Sequence, residues 1–238
     1  MIAPIAVATE MTPIGICSKN ERCLPVLLKS IELYVPEDVE IFITSPNIQS
    51  LPRHKVHHFV HTYETCGAAH NFIARKIFET HDNFIAIDDD AVLNPNTYSV
   101  LMEDVNLLKS MGFKIGCVAG RTNYAKGFQN IRRGEGNLSS LGYESENQII
   151  ETDYLAGIVS WCQKSTWIEL PPIDWFADDL ACNDLIKNDC KLFVSRAYFH
   201  HVGSQTFGTD FAKCKQNSEV WLRENRPDMH KKYFGTQK

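Results

Sequence analysis

The sequence predicts an α/β protein built on a mixed, mainly parallel sheet flanked by helices. Two patterns carry that expectation. Apolar runs of strand length alternate with stretches whose apolar residues recur at helical spacing, and most of the apolar runs end in polar or acidic residues. A third observation bounds the size: 238 residues, 44% hydrophobic and 22% charged, are ordinary for one soluble globular domain with a real core.

The elements follow in order. Ile14-Gly15-Ile16-Cys17 reads as a buried first strand, closed by the polar loop Ser18-Lys19-Asn20-Glu21. Residues 22–34 carry Leu24, Leu27, Leu28, Ile31 and Tyr34 on one stripe, with Pro25 in the first turn where its missing N–H costs little. Residues 39–44 form a second strand between Pro36 and Pro46, and residues 55–60 a third. Residues 67–79 read as a helix with Phe72, Ile73, Ile77 and Phe78 inward. Residues 84–88 form the fourth strand, 95–111 another helix and 115–119 another strand. Residues 121–148 hold many glycines with Arg121, Lys126, Arg132 and Arg133 and little periodicity, which predicts a loop or hairpin insertion on the binding face. Structure resumes at Thr152. A helix follows Asp178-Asp179 to about Asn188, a strand covers 191–199 and ends in His200-His201, and a helical tail over 210–234 is interrupted by Pro227. The expected organisation is a single domain, 1–238, in three parts: one to about residue 120, one over 121–208, and a helical tail over 209–238.

Composition excludes some functions. The net charge of −5 gives no basic surface in bulk for nucleic acid. No apolar stretch reaches the roughly 18–20 residues of a membrane helix. Met1-Ile2-Ala3-Pro4 lacks a basic start and an apolar core, so no signal peptide is expected and the cytoplasm is the expected location. The eight cysteines form no CxxC pair, which argues against zinc and for reduced thiols buried as small hydrophobes.

Asp88-Asp89-Asp90, at the end of the apolar run Phe84-Ile85-Ala86-Ile87, carries the chemistry. On an extended backbone Asp88 and Asp90 share a face, roughly 7 Å apart. Such a pair repels unless a cation lies between them, and Mg²⁺ and Mn²⁺ take oxygen ligands together with substrate phosphates. The plain alternative is a solvated acidic turn. In parallel α/β sheets ligands bind outside the carboxyl ends of the strands. That edge gathers the loop with Ser18 and Asn20, then Ser45, Gly67 and the three aspartates.

Four segments in this order resemble the GT-A glycosyltransferases, family-2-like, over roughly residues 12–208: Ile14 to Asn20, Gly67-Ala68-Ala69-His70-Asn71 through Arg75, the DxD-like Asp88 to Asp90, and His200-His201 with the residues to Phe207. The first loop departs from the commoner Thr-Tyr-Asn, no acidic residue follows the second strand where Ser45 stands, and the usual Glu-Asp is Asp178-Asp179. The resemblance implies transfer of a sugar from a nucleotide-sugar donor to a hydroxyl acceptor, with inversion. It assigns Ser18, Asn20, Ser45 and Gly67 to the donor, along with Asn71, Arg75, Asp88 and Asp89. Asp90 is the main ligand of a divalent metal, Mn²⁺ or Mg²⁺, with Asp88 and one of His201 and His200. Asp179, with Asp178 close behind, is the general base. The acceptor is a glycan or a modified nucleic-acid base. Trp161 and Trp175 are sugar-stacking candidates whose ordinary reading is packing, and His54, His57, His58 and His61 split between strand faces rather than forming a metal cluster. Two alternatives stand: a sugar-phosphate nucleotidyltransferase, for which the first loop lacks the glycine-rich basic signature, and a non-catalytic sugar- or nucleotide-binding protein.

Overall fold

The computed structural model describes residues 11–61, 63–125, 127–131, 147–203 and 211–235. Nine strands form one sheet: β1 (Ile14–Cys17), β2 (Ile41–Ser45), β3 (Val56–Val60), β4 (Asn83–Asp88), β5 (Ala91–Leu93), β6 (Ile115–Thr122), β7 (Ile150–Thr152), β8 (Val159–Gln163) and β9 (Lys191–His201). Their order is β3-β2-β1-β4-β8-β6-β9-β5, with β7 also paired to β9. Strands β3, β2, β1, β4, β6 and β9 share one direction, and β8, β5 and β7 run against it. The helices are α1 (Leu24–Tyr34), α2 (Cys66–Ile77), α3 (Thr97–Ser110), α4 (Ala177–Lys187), α5 (Phe211–Asn225) and α6 (Pro227–Phe234).

The period-2 alternation of the strands sorts their side chains between two cores. Ile14 and Ile16, Ile41 and Ile43, and Ile85 and Ile87 pack with Leu24, Leu27 and Ile31 of α1 and Leu101, Val105 and Leu108 of α3. The intervening Phe42, Phe84 and Ala86 meet Ile73, Ala74 and Ile77 of α2. A third cluster joins Leu192 and Val194 to Cys182 and Leu185 of α4. Each fully buried Leu or Ile contributes about 1.5–3 kcal/mol. Gly15 lets α2 lie close on β1, since a Cβ there would stand 2.6 Å from Ile73. The charge buried deepest, Asp104 on α3, accepts from the Ser195 hydroxyl and from the backbone and guanidinium of Arg196, which fastens α3 to β9.

Three strands go beyond the sequence expectation. β5 occupies residues 91–93, between an expected strand and an expected helix, because pairing with β9 satisfies its backbone, and β7 at 150–152 likewise pairs with β9. β8 lies between β4 and β6 in the centre of the sheet, where residues after Thr152 gave no specific element. The expected insertion over 121–148 begins as the end of β6 and a short 3₁₀ turn at Gly127–Gln129. Residues 132–146, with Arg132 and Arg133, and residues 204–210 lie outside the described residues, as does Lys126. Among the described residues no helix is long and apolar enough to cross a membrane.

Candidate active site

The ends of β1 and β4, the start of α2, the turn after β6 and the start of α4 enclose a cleft of about 470 Å³. Ser18, Asp88, Asp89, Asp90, Asp178, Asp179 and His201 all line it. The acidic run therefore belongs to the same cavity as the aspartate pair 90 residues downstream of it.

The three aspartates separate as the chain turns after β4. Asp88 closes the strand, and its Oδ1 lies 3.1 Å from Nε2 of His70 on α2. Asp89 is buried and accepts from the Ser18 hydroxyl. Burial, with Asp88 and Asp90 on either side, pushes the Asp89 carboxyl up to about 6 despite that bond. Asp90 turns toward β9, with Oδ2 3.2 Å from His201 Nε2. Residues 89–90 form a turn rather than extended strand, and Asp88 and Asp90 both line the cleft with a different histidine beside each.

His201 is held for one task. Its Nδ1 lies 2.8 Å from the Tyr124 carbonyl, which only accepts, so Nδ1 carries the proton. A neutral ring then turns the Nε2 lone pair toward the Asp90 carboxylate. Two lone pairs at that separation need a proton or a cation between them. Burial disfavours the imidazolium, but Asp90 and the Tyr124 carbonyl outweigh it and raise the His201 pKa. One carboxylate oxygen and one imidazole nitrogen side by side in the cleft could hold a divalent metal ion.

The first turn of α4 also lines the cleft. Phe176 precedes it in the left-handed region (φ 71°), and Asp178 and Asp179 follow. Asp178 accepts from the Gly157 N–H at 3.1 Å. Burial, then the charge of Asp88, pushes its carboxyl up to about 6. Asp179 bonds the Tyr233 hydroxyl of α6. Tyr154 also lines the cleft, where burial and both aspartates raise its phenol and keep it neutral. Trp175 and Phe176 add aromatic surface to the cleft.

Several residues expected at the donor are bonded to other parts of the protein. Gly67 sits where a Cβ would stand 1.9 Å from the Pro171 carbonyl oxygen, and its N–H donates to the Ile173 carbonyl. Asn71 both donates to and accepts from the Leu170 backbone. The Cys66 N–H goes to Asp174 and the Ala68 N–H to Thr65, so the first turn of α2 offers no N–H for a phosphate. Arg75 pairs with Glu169 at 2.6 Å on the surface. Ser45 is buried and bonds Asn47 and His58. Asn20 is exposed and accepts from the Arg22 N–H. His200 is exposed, opposite Val92 in the ladder, and does not line the cleft. Trp161 is fully buried in the core with Lys109 over its ring, and Trp175 alone of the two tryptophans reaches the cleft.

Sequence reasoning missed Cys66 and His70. Their i, i+4 spacing puts both on one face of α2, next to Asp88. Among the described residues, Cys66, His70 and Asp88 are the one group of three whose ligand atoms lie mutually within 4.8 Å. The four histidines at 54, 57, 58 and 61 form no such group among the described residues: His57 pairs with Glu40, and His61 stacks on Tyr63.

No protein-family model matches the chain, and no curated protein does. Solved structures do match. S. aureus TarS 1-349 in complex with UDP-GlcNAc superposes with a TM-score of 0.57 at 13% identity, over 90% of this chain and 66% of that one. TarS 1-349 alone gives 0.55 at 14% identity, over 90% and 65%. A longer TarS structure gives 0.53 at 12% identity, over 90% and 40%. This chain thus spans less than two thirds of each. The likeness gives the fold: the chain has the architecture of the GT-A glycosyltransferases.

Proposed function

We propose that the protein transfers a sugar from a nucleotide-diphosphate sugar to a hydroxyl acceptor, with inversion at the anomeric carbon. The observation that carries this reading is the meeting of Asp90, His201 and Asp178 in one cleft of a GT-A fold. Asp90 and His201 would hold the divalent metal. When bound, it would supply positive charge for the diphosphate leaving group.

The remaining work falls to the chain. The Ser18 hydroxyl holds Asp89 in place between Asp88 and Asp90 in the cleft lining. The Gly157 N–H orients Asp178, and burial raises its basicity toward neutrality, where a general base is most effective. Asp178 is therefore the better base, ahead of Asp179, whose bond to Tyr233 ties it to α6. Asp178 takes the proton of the acceptor hydroxyl as its oxygen attacks the anomeric carbon from the face opposite the departing nucleoside diphosphate. Trp175 and Phe176 offer the apolar faces that sugar rings stack on.

TarS has been solved with UDP-GlcNAc, which makes UDP-sugars the first donors to test. The acceptor class, glycan or modified nucleic-acid base, separates by salt: nucleic-acid binding weakens steeply with ionic strength, and binding of a neutral glycan does not. The deciding experiment measures thermal shifts and donor turnover across a panel of nucleotide sugars, with and without Mn²⁺. A metal-dependent shift with one donor, and turnover lost in Asp178→Asn while the shift remains, supports the reading. No metal-dependent shift with any nucleotide sugar overturns it. Donor binding with unimpaired turnover in Asp178→Asn returns the base to Asp179.

A further inference from the structure

We propose that Cys66, His70 and Asp88 form a second metal site, selective for Zn²⁺ over Mg²⁺ and Mn²⁺ and separate from the Asp90–His201 pair. Three kinds of donor atom meet there. Cys66 and His70 project from successive turns of α2, and Asp88 reaches them from the end of β4. The His70 Nε2 to Asp88 Oδ1 distance is 3.1 Å, and all three ligand atoms lie within 4.8 Å of one another. A tetrahedral zinc ion with bonds of about 2.0–2.3 Å spaces its ligand atoms by about 3.3–3.6 Å. The histidine–carboxylate pair, at 3.1 Å, is already near that spacing, and the Cys66 sulfur lies within 4.8 Å of both.

The donor chemistry decides the ion. A thiolate and an imidazole beside one carboxylate suit a borderline-soft ion, and such a site binds zinc far more tightly than manganese. Magnesium prefers oxygen ligands and gains little from the sulfur. On binding, the Cys66 thiol releases its proton to solvent and the thiolate becomes the ligand.

The backbone around the group is already fixed. The Cys66 N–H is bonded to Asp174, Gly67 lies against Pro171, and the Asp88 N–H donates to the Ile158 carbonyl. Zinc would therefore enter a frame whose ordering cost has been met, with its fourth position open to the cleft. The inference rests on ligand geometry and does not depend on the sugar-transfer reading.

The test is a metal-binding measurement on the full chain with no nucleotide sugar present. Zinc is titrated against a chromophoric chelator, and Co²⁺ is used as a spectroscopic stand-in that shows a thiolate-to-metal absorption band. One high-affinity zinc per chain is expected, with the thiolate band, unaffected by excess Mg²⁺. Cys66→Ser should abolish the band and weaken zinc by more than about 100-fold, since changes even to outer-shell groups cost roughly 10–100-fold. His70→Gln should weaken it comparably, and Asp90→Asn should leave it unchanged. Circular dichroism on each variant checks folding, and Cys66→Ser is near isosteric. Failure to bind one zinc per chain, a missing thiolate band, undiminished affinity in a folded Cys66→Ser, or zinc loss in folded Asp90→Asn would each overturn the proposal.

Discussion

Replacing Asp178 with asparagine should make the protein more stable while removing its proposed activity. The carboxyl is moved from 3.8 to about 6 by burial and by the charge of Asp88. A shift of that size corresponds to ~3 kcal/mol of differential interaction. The sign follows from linkage. The folded state holds the proton more tightly than the unfolded one, so the penalty is absent below the unfolded pKa and fully present above the folded pKa. Stability is therefore lost as pH rises through that window. Asparagine keeps an oxygen for the Gly157 N–H and removes the charge. Water entering the half-buried site reduces the effect, so a gain of about 1–2 kcal/mol near pH 7 is expected, or about 2–8 °C in Tm. Near pH 4 the gain should shrink to about 0.5 kcal/mol or less, because Asp178 is then mostly protonated in the folded wild type. Calorimetry of both proteins from about pH 4 to 8, without divalent metal, reads this directly. A variant that is less stable at neutral pH, or a gain that does not change with pH, would refute the reasoning.

Other outcomes follow from the same geometry. Turnover should rise with pH through about 6 as Asp178 loses its proton; a rate flat across that range would remove it as the base. Asp90→Ala should abolish metal-dependent donor binding in a thermal-shift assay, leaving His201 as the sole remaining side chain of the pair. Gly67→Ala should cost about 3 kcal/mol or more in denaturant unfolding, since its Cβ would stand 1.9 Å from the Pro171 carbonyl oxygen. Arg75→Ala should change stability by less than about 1 kcal/mol and leave donor binding intact, because its partner Glu169 is a surface charge.

The parallel strands and their helices were legible because buried strands and amphipathic helices write their periods into the chain. Ile14 to Cys17 and Phe84 to Asp88 are examples, with Leu24 to Tyr34 for the helices. The convergence of Asp88–Asp90 with Asp178, Asp179 and His201 was legible through strand ends and motif order. β8 was not, because Val159 to Gln163 is short and its place between β4 and β6 is set by pairing with distant segments. The internal bonds of Gly67 and Asn71 were not legible for a related reason. A glycine at a helix start and a nearby amide look like a ligand cradle, but both are spent on residues 170–173, about a hundred positions away. His70 was passed over because its partners, a cysteine four residues before and an aspartate eighteen after, match no familiar metal spacing.

The bonds from α2 to residues 170–174 also bear on how the cleft exchanges its contents. Cys66, Gly67 and Asn71 tie the start of α2 to the segment that leads into α4 and the proposed base. Widening the cleft by swinging α2 and that segment apart would therefore mean breaking those bonds. Amide exchange at Cys66 and Gly67 should be as slow as in the central strands, even during turnover.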